Sequence, residues 1–149
     1  MNIFGRISEI SSLIKAGSSE NIVLALAKHF APYPVSLGID MVFNHVRKTV
    51  QYRAEKNGQD VSLDVLQTLG QGYGDCEDQT ILLSSILKSM GYNVQLKVVG
   101  VRPNEYTHIY PLVGMPKVNP TVWLPLDVAS TRVIGQEPDW KRVELVFST

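Results

Sequence analysis

Apolar positions follow a helical period through roughly the first ninety residues and an alternating period through most of the rest. Ile3, Ile7, Ile10 and Ile14 lie four, three and four residues apart, one face of a short helix over residues 2–16 that Gly17, Ser18 and Ser19 interrupt. A second helix over 21–30 turns Ile22, Val23, Leu26, Ala27 and Phe30 inward and stops before Pro32 and Pro34. A third, over 36–52, carries Ile39, Val42, Phe43, Val46 and Val50 as one buried stripe. Arg47, Lys48 and Arg53 near its end read as cations placed against the helix dipole. Residues 55–60 form a polar loop, after which Ser62 is placed to cap a short helix bearing Val65, Leu66 and Leu69. From Asp78 a further helix has Leu83, Ile86, Leu87 and Met90 on its apolar face and ends at Gly91.

Beyond Gly91 the period becomes two. Val94, Leu96 and Val98 alternate with Gln95 and Lys97, and Tyr106, His108, Tyr110 and Leu112 alternate with Thr107 and Ile109, with a turn at 103–105. Residues 122–126 and 142–147 supply a third and a fourth strand. Helices first and an antiparallel sheet second predict an α+β fold. At 149 residues the chain is read as a single domain over 1–149, with its core at about 36–130. Residues 1–20 either pack back on that domain or form an amphipathic arm that docks on a partner protein or lipid surface.

Lys plus Arg and Asp plus Glu both number 14, so nucleic acid is not an expected partner, because phosphate binding needs an excess of cations. The chain has one cysteine, Cys76, and therefore no internal disulfide. No apolar run reaches the length of a transmembrane segment, and residues 1–18 lack the order of a secretory signal. A soluble protein, cytoplasmic or virion-associated, is expected. No carboxylate cluster has calcium-loop spacing and no Cys/His set fits zinc, so no metal or other cofactor is expected.

Gly70, Gly72 and Gly74 lead into Asp75 and Cys76, a helix start at which Asp75 is a plausible N-cap. A helix N-terminus lowers a thiol pKa, the amide of Cys76 can donate to an oxyanion, and the glycines would let a substrate approach the backbone. The bland alternative is a small buried apolar cysteine. A thiol nucleophile needs an imidazole, and the imidazole needs an acceptor. His29 and His45 sit at the end and polar side of helices, whereas His108 stands mid-strand with Tyr106 and Tyr110 on its face. Asp127, at the end of an apolar strand, is either a turn former or a partner for a neighbouring polar group; an adjacent antiparallel strand would bring it beside His108.

Gly72-Tyr73-Gly74-Asp75-Cys76-Glu77-Asp78 at a helix start, Tyr106-Thr107-His108-Ile109-Tyr110 on a strand and Trp123-Leu124-Pro125-Leu126-Asp127 on the next resemble the transglutaminase-like superfamily. The helix ending in Val50-Gln51-Tyr52 and the Gly91-Tyr92 turn resemble it too, over roughly residues 36–130, with most likeness to its bacterial and phage cysteine-peptidase branch. The resemblance implies a papain-like, transglutaminase-like core: a helical N-terminal half with the nucleophile at a helix N-terminus, packed on an antiparallel sheet. It implies Cys76 as nucleophile, His108 as general base and later acid, and Asp127 as the residue that orients the imidazole. Ile109, Tyr110 and Val128 depart from the residues common after the family's histidine and aspartate, which bears on the substrate walls. Gln71 is a candidate second oxyanion donor.

The implied reaction is thiol-dependent acyl transfer through an acyl-enzyme, with cysteine peptidase or amidohydrolase activity on a protein or peptide substrate favoured over cross-linking. Short loops leave little material for a lysine-substrate tunnel. A transglutaminase, a peptidoglycan amidase and a non-catalytic structural module, for example a phage particle component, are the alternatives.

Overall fold

The computed structural model describes residues 2–54 and 62–149; the loop expected over 55–60 lies outside the described residues. Its central element is α5 (Cys76–Ser89), and its start is set by a reciprocal cap. The Asp75 side chain accepts the Asp78 N–H while the Asp78 side chain accepts the Asp75 N–H. A Cβ on Gly74 would lie 2.7 Å from that of Asp78, so this glycine makes room for the cap itself and not for a substrate. Where the sequence suggested one buried stripe, α5 is buried on every side from Cys76 to Leu87. Three of its buried polar side chains find backbone partners: Gln79 donates to the Val50 carbonyl at 3.1 Å, Thr80 to that of Ile109 at 3.3 Å and Ser85 to that of Ile14 at 3.2 Å.

One side of α5 is covered by helices. A 3-10 turn (Ile3–Arg6) leads into α1 (Ile7–Gly17), followed by α2 (Asn21–Phe30), α3 (Val35–Thr49) and α4 (Val65–Gln71). Ile3, Ile10 and Ile14 have no exposed surface, so the isoleucine stripe lies in the domain's own core. On α2, Val23, Ala27 and Phe30 are buried as expected, but Ile22 is exposed. The five stripe residues of α3 are all fully buried, although the helix ends at Thr49 and Gln51–Tyr52 becomes β1. Asp64, not Ser62, caps α4, through a second reciprocal box with Gln67. Gly72 ends α4 in a left-handed conformation (φ 76°) that a residue with a Cβ resists. β2 (Tyr73–Gly74) then pairs with β1 in parallel, Gln51 beside Tyr73 and Tyr52 beside Gly74.

The other side of α5 is a four-stranded antiparallel sheet of β3 (Val94–Gly100), β4 (His108–Met115), β5 (Val122–Pro125) and β6 (Val143–Ser148), in the order β5-β4-β3-β6. The alternation of β3 predicts Lys97 on a solvent face, yet Lys97 is buried. The outer face is roofed by the chain after β5, where Glu137 and Glu144 each pair with the Lys97 ammonium, at 2.5 and 2.6 Å. Tyr110 donates to Glu137 at 2.7 Å on the same face and packs in a small cluster with Val99 and Leu112.

Candidate active site

Three elements converge at the N-terminal end of α5: the helix start, the start of β4 and the turn after β5. β5 pairs with β4 only from Leu112 onward, so the backbone of Ile109 is left without a strand neighbour on that edge. Helix α5 takes its place. The Cys76 sulfur accepts the Ile109 N–H and the Thr80 hydroxyl, one turn along, donates to the Ile109 carbonyl. This docking puts the sulfur beside the residue that follows His108.

His108 is the first residue of β4, not mid-strand, and Tyr106 before it lies in the main core while Tyr110 lies in the smaller cluster. The imidazole Nε2 is 2.9 Å from Asp127 Oδ1 and 3.2 Å from the Ser130 hydroxyl. Asp127 is 1% exposed. Its Oδ1 also accepts the Ser130 N–H at 3.2 Å, and its carbonyl accepts from the Thr131 hydroxyl at 2.7 Å. Turn former and histidine partner are therefore one role: the carboxylate shapes the turn that carries it and holds the ring at the same time. A carboxylate at Nε2 places the proton there and leaves the Nδ1 lone pair available as a base. The ring is flanked by Trp140, 5.9 Å between centroids, and by Tyr110 at 5.7 Å.

Arg47 is drawn into the same construction. Its guanidinium donates to the carbonyls of Thr131 and Arg132, and Arg53 stacks on the Tyr73 ring at 4.2 Å. These cations fasten the site's loops, whereas the sequence suggested simple complements to the end of α3.

The thiol environment reverses an expectation. Cys76 is 6% exposed and its thiol is raised above the usual value, by burial first and then by the Asp75 carboxylate, against which the Ile109 N–H works in the opposite direction. The helix N-terminus does not win because burial penalises the thiolate and the Asp75 and Glu77 carboxylates already place negative charge at its positive end. Among the described residues no hydrogen bond joins the sulfur to His108, so the resting site pairs the ring with Asp127 and holds the thiol protonated against the Ile109 N–H. Catalytic hydrogen bonds in unliganded sites are often long and tighten when substrate binds.

Gln71 donates its amide to the Tyr73 carbonyl at 2.7 Å and has no hydrogen bond to Cys76, His108 or Asp127. Sequence reasoning passed over Tyr52 as a site residue. The β1–β2 bridge sets it beside Gly74, and its phenol is raised by burial and by Cys76, Asp75 and Asp127, which marks it as a neighbour of the sulfur that stays neutral near pH 7. An aromatic just past a helix end gives no hint of this, since only strand pairing brings it there. Asp127 Oδ2 and Gln79 Oε1 are buried without a protein partner, and both residues line a cavity of about 10 Å³, room for one water-sized sphere. On the open side of the ring, Ser130, Thr131, Arg132, Gln136, Asp139 and Trp140 line a groove of about 420 Å³. No group of three or more possible metal ligands is found among the described residues, and no helix among them is long and apolar enough to cross a membrane.

A cysteine opening a buried helix, set against an antiparallel sheet that carries a histidine bonded to an aspartate from beyond the next strand, defines a papain-like α+β thiol site. The sequence agrees: residues 26–128 match the model of the transglutaminase-like superfamily, and the chain belongs to that superfamily. Membership places it at family level among thiol-dependent, peptidase-like proteins. No curated protein matches the sequence significantly. In fold the chain is similar to Legionella pneumophila LapG in EGTA-treated form, with a TM-score of 0.59 and 16% identity over 83% of this chain and 73% of that one. It is likewise similar to calcium-bound L. pneumophila LapG, with a TM-score of 0.53 and 16% identity over 83% and 75%.

Proposed function

We propose that the protein is a cysteine peptidase or amide hydrolase that works through an acyl-enzyme on Cys76, with His108 as general base and acid and Asp127 orienting the ring. The observation that carries this reading is the His108–Asp127 hydrogen bond, which leaves Nδ1 as a free base on the strand whose next residue, Ile109, donates its N–H to the helix-borne sulfur. A substrate carbonyl entering from the groove beside Trp140 meets the sulfur; the thiol proton passes to Nδ1 as the C–S bond forms. The oxyanion is held by the Cys76 N–H, which no backbone carbonyl accepts among the described residues, and by the neutral Tyr52 hydroxyl. The imidazolium returns its proton to the leaving amine, and the acyl-enzyme forms. Water, activated by Nδ1, then attacks the thioester and restores the thiol. Because burial raises the thiol, the proton transfer accompanies attack, and no standing thiolate is required.

The open groove beside His108 gives water access and supports hydrolysis over transfer to a lysine amine. The burial of Cys76 favours a second reading, a scaffold that keeps the fold without turnover. p-Nitrophenyl acetate separates the two. A nitrophenolate burst of one equivalent, with acetyl on Cys76, absent in Cys76→Ser and strongly reduced in His108→Ala, is expected of the enzyme. A burst of equal size and rate in His108→Ala would remove the case for the pair.

A further inference from the structure

The sulfur and the imidazole stand on separate elements, and five residues of the N-terminal turn reach both. At one end, the Ile3 N–H donates to the Tyr106 carbonyl at 2.8 Å, two residues before His108. The Asn2 side chain accepts the Tyr106 N–H at 3.4 Å and donates to the Asn104 carbonyl at 3.1 Å. The Phe4 ring lies against Tyr106 and Phe147, at 6.2 and 5.7 Å between centroids. At the other end, Arg6 donates to the Ser62 hydroxyl at 2.7 Å and pairs with Glu77 Oε1 at 2.5 Å, while Ser62 donates to the same oxygen at 2.9 Å. Glu77 follows Cys76 directly, and its side chain has no exposed surface.

We propose that Arg6 is a positioning residue for the Cys76–His108 pair, the helix-side anchor of a strap over residues 2–6 that ties the start of α5 to the approach to β4. It rests on the enzyme reading above. The strap has two separable effects. Arg6 neutralises a buried carboxylate next to the sulfur, and Asn2 with Ile3 fixes the backbone leading to the imidazole. Among the described residues, the other charged or titratable groups that act on the thiol are Asp75, capped by Asp78, at the helix start, Tyr52 from β1 and Asp127 from the turn after β5, and His108 stands one residue before the Ile109 N–H that the sulfur accepts. All of these remain in place when Arg6 is changed, so a shift in the variant reports the loss of the Arg6 charge.

The test is the rate of Cys76 acetylation by p-nitrophenyl acetate as a function of pH, with the melting temperature recorded alongside. Arg6→Met removes the Arg6 charge from the Glu77 carboxylate, which follows the sulfur-bearing residue; its rising limb should move up by about half to one pH unit, a three- to tenfold lower rate at fixed pH on that limb. Arg6→Lys should bring the limb most of the way back. Asn2→Ala, at an exposed position, keeps the Arg6 charge and loosens the strand side together with the Asn2 cap on the Phe4 N–H; it should lower the plateau rate without moving the limb. A merely structural role would lower the melting temperature and leave both features alone. A wild-type limb in folded Arg6→Met, or a wild-type plateau in Asn2→Ala, overturns the proposal. If Arg6→Met does not fold, Arg6→Gln is read in its place, and the Asn2→Ala plateau decides in either case. A wild-type protein inert across the whole pH range overturns the enzyme reading and this one with it, whereas a reactive wild type with unmoved variants overturns the strap alone.

Discussion

Replacing Asp127 with asparagine keeps the shape of the side chain and removes its charge. In the wild type, Oδ1 meets His108 Nε2 at 2.9 Å and the Ser130 N–H at 3.2 Å. An amide oxygen in that position keeps both bonds and keeps Nδ1 free of its proton. The flipped amide would point a donor at the Ser130 N–H, so the turn itself selects the productive orientation. On the proposed mechanism, what is lost is charge assistance to the imidazolium that forms as the sulfur gives up its proton. A hydrogen bond to a charged group contributes about 1.5–3 kcal/mol net, against about 1 kcal/mol for a neutral one. Acylation of Cys76 in Asp127→Asn should therefore slow by about 1–2 kcal/mol, on the order of 5- to 30-fold. Stability should change little, since Oδ2 has no protein partner to lose. Single-turnover acetylation by p-nitrophenyl acetate, with a thermal melt as control, reads both quantities. An unchanged rate would refute any action of the carboxylate on the ring. A loss above about a thousandfold in a protein of unchanged melting temperature would mean that the wrong tautomer forms, and would refute the role given to Ser130.

Tyr52→Phe removes the proposed second oxyanion donor and should lower the acylation rate about ten- to a hundredfold while leaving the binding of a peptide substrate analogue unchanged; a rate within a factor of two of wild type would return the second donor to another group. Burial raises Asp78 to about 7, opposed by the Leu63 N–H and reinforced by Asp75. The folded state then holds the proton more tightly than the unfolded chain, so this contribution to stability is fully present below about pH 4 and is lost as pH rises through about 7. After discounting for solvent screening, the loss is on the order of 1–2 kcal/mol; melting temperatures should show it in wild type and a flatter profile over that window in Asp78→Asn, and equal slopes would refute it. Ile14→Ala should destabilise the protein by about 2–5 kcal/mol, the scale of a large-to-small change in a packed core; a loss below about 1 kcal/mol in urea unfolding would mean that α1 is a detachable arm after all.

Much of the architecture was legible because it follows from periodicity. The stripe of α3 from Ile39 to Val50 is buried to the last residue, and the switch to alternation after Gly91 marks the passage from helices to sheet. The capping role of Asp75 was legible too, since a carboxylate before a helix has few better uses. Other features were not local. Ser62 and Asp64 are both credible caps; Ser62 is instead drawn to Glu77, fifteen residues ahead, and Asp64 takes the cap. Lys97 obeys the alternation of its strand but is covered by a loop forty residues away.

The amino-acid order alone singled out the candidate residues, because a cysteine at a glycine-led helix start and a histidine and an aspartate on successive strands form a pattern few other uses would require. Their state was decided by tertiary structure. Whether the thiol is lowered or raised depends on how deeply α5 is buried and on which carboxylates share its first turn, and burial with Asp75 outweighs the helix dipole. The placement of Tyr52 beside the sulfur and of Arg6 beside Glu77 has the same origin: strand pairing and helix packing join positions far apart in the chain, and no short-range pattern carries that information.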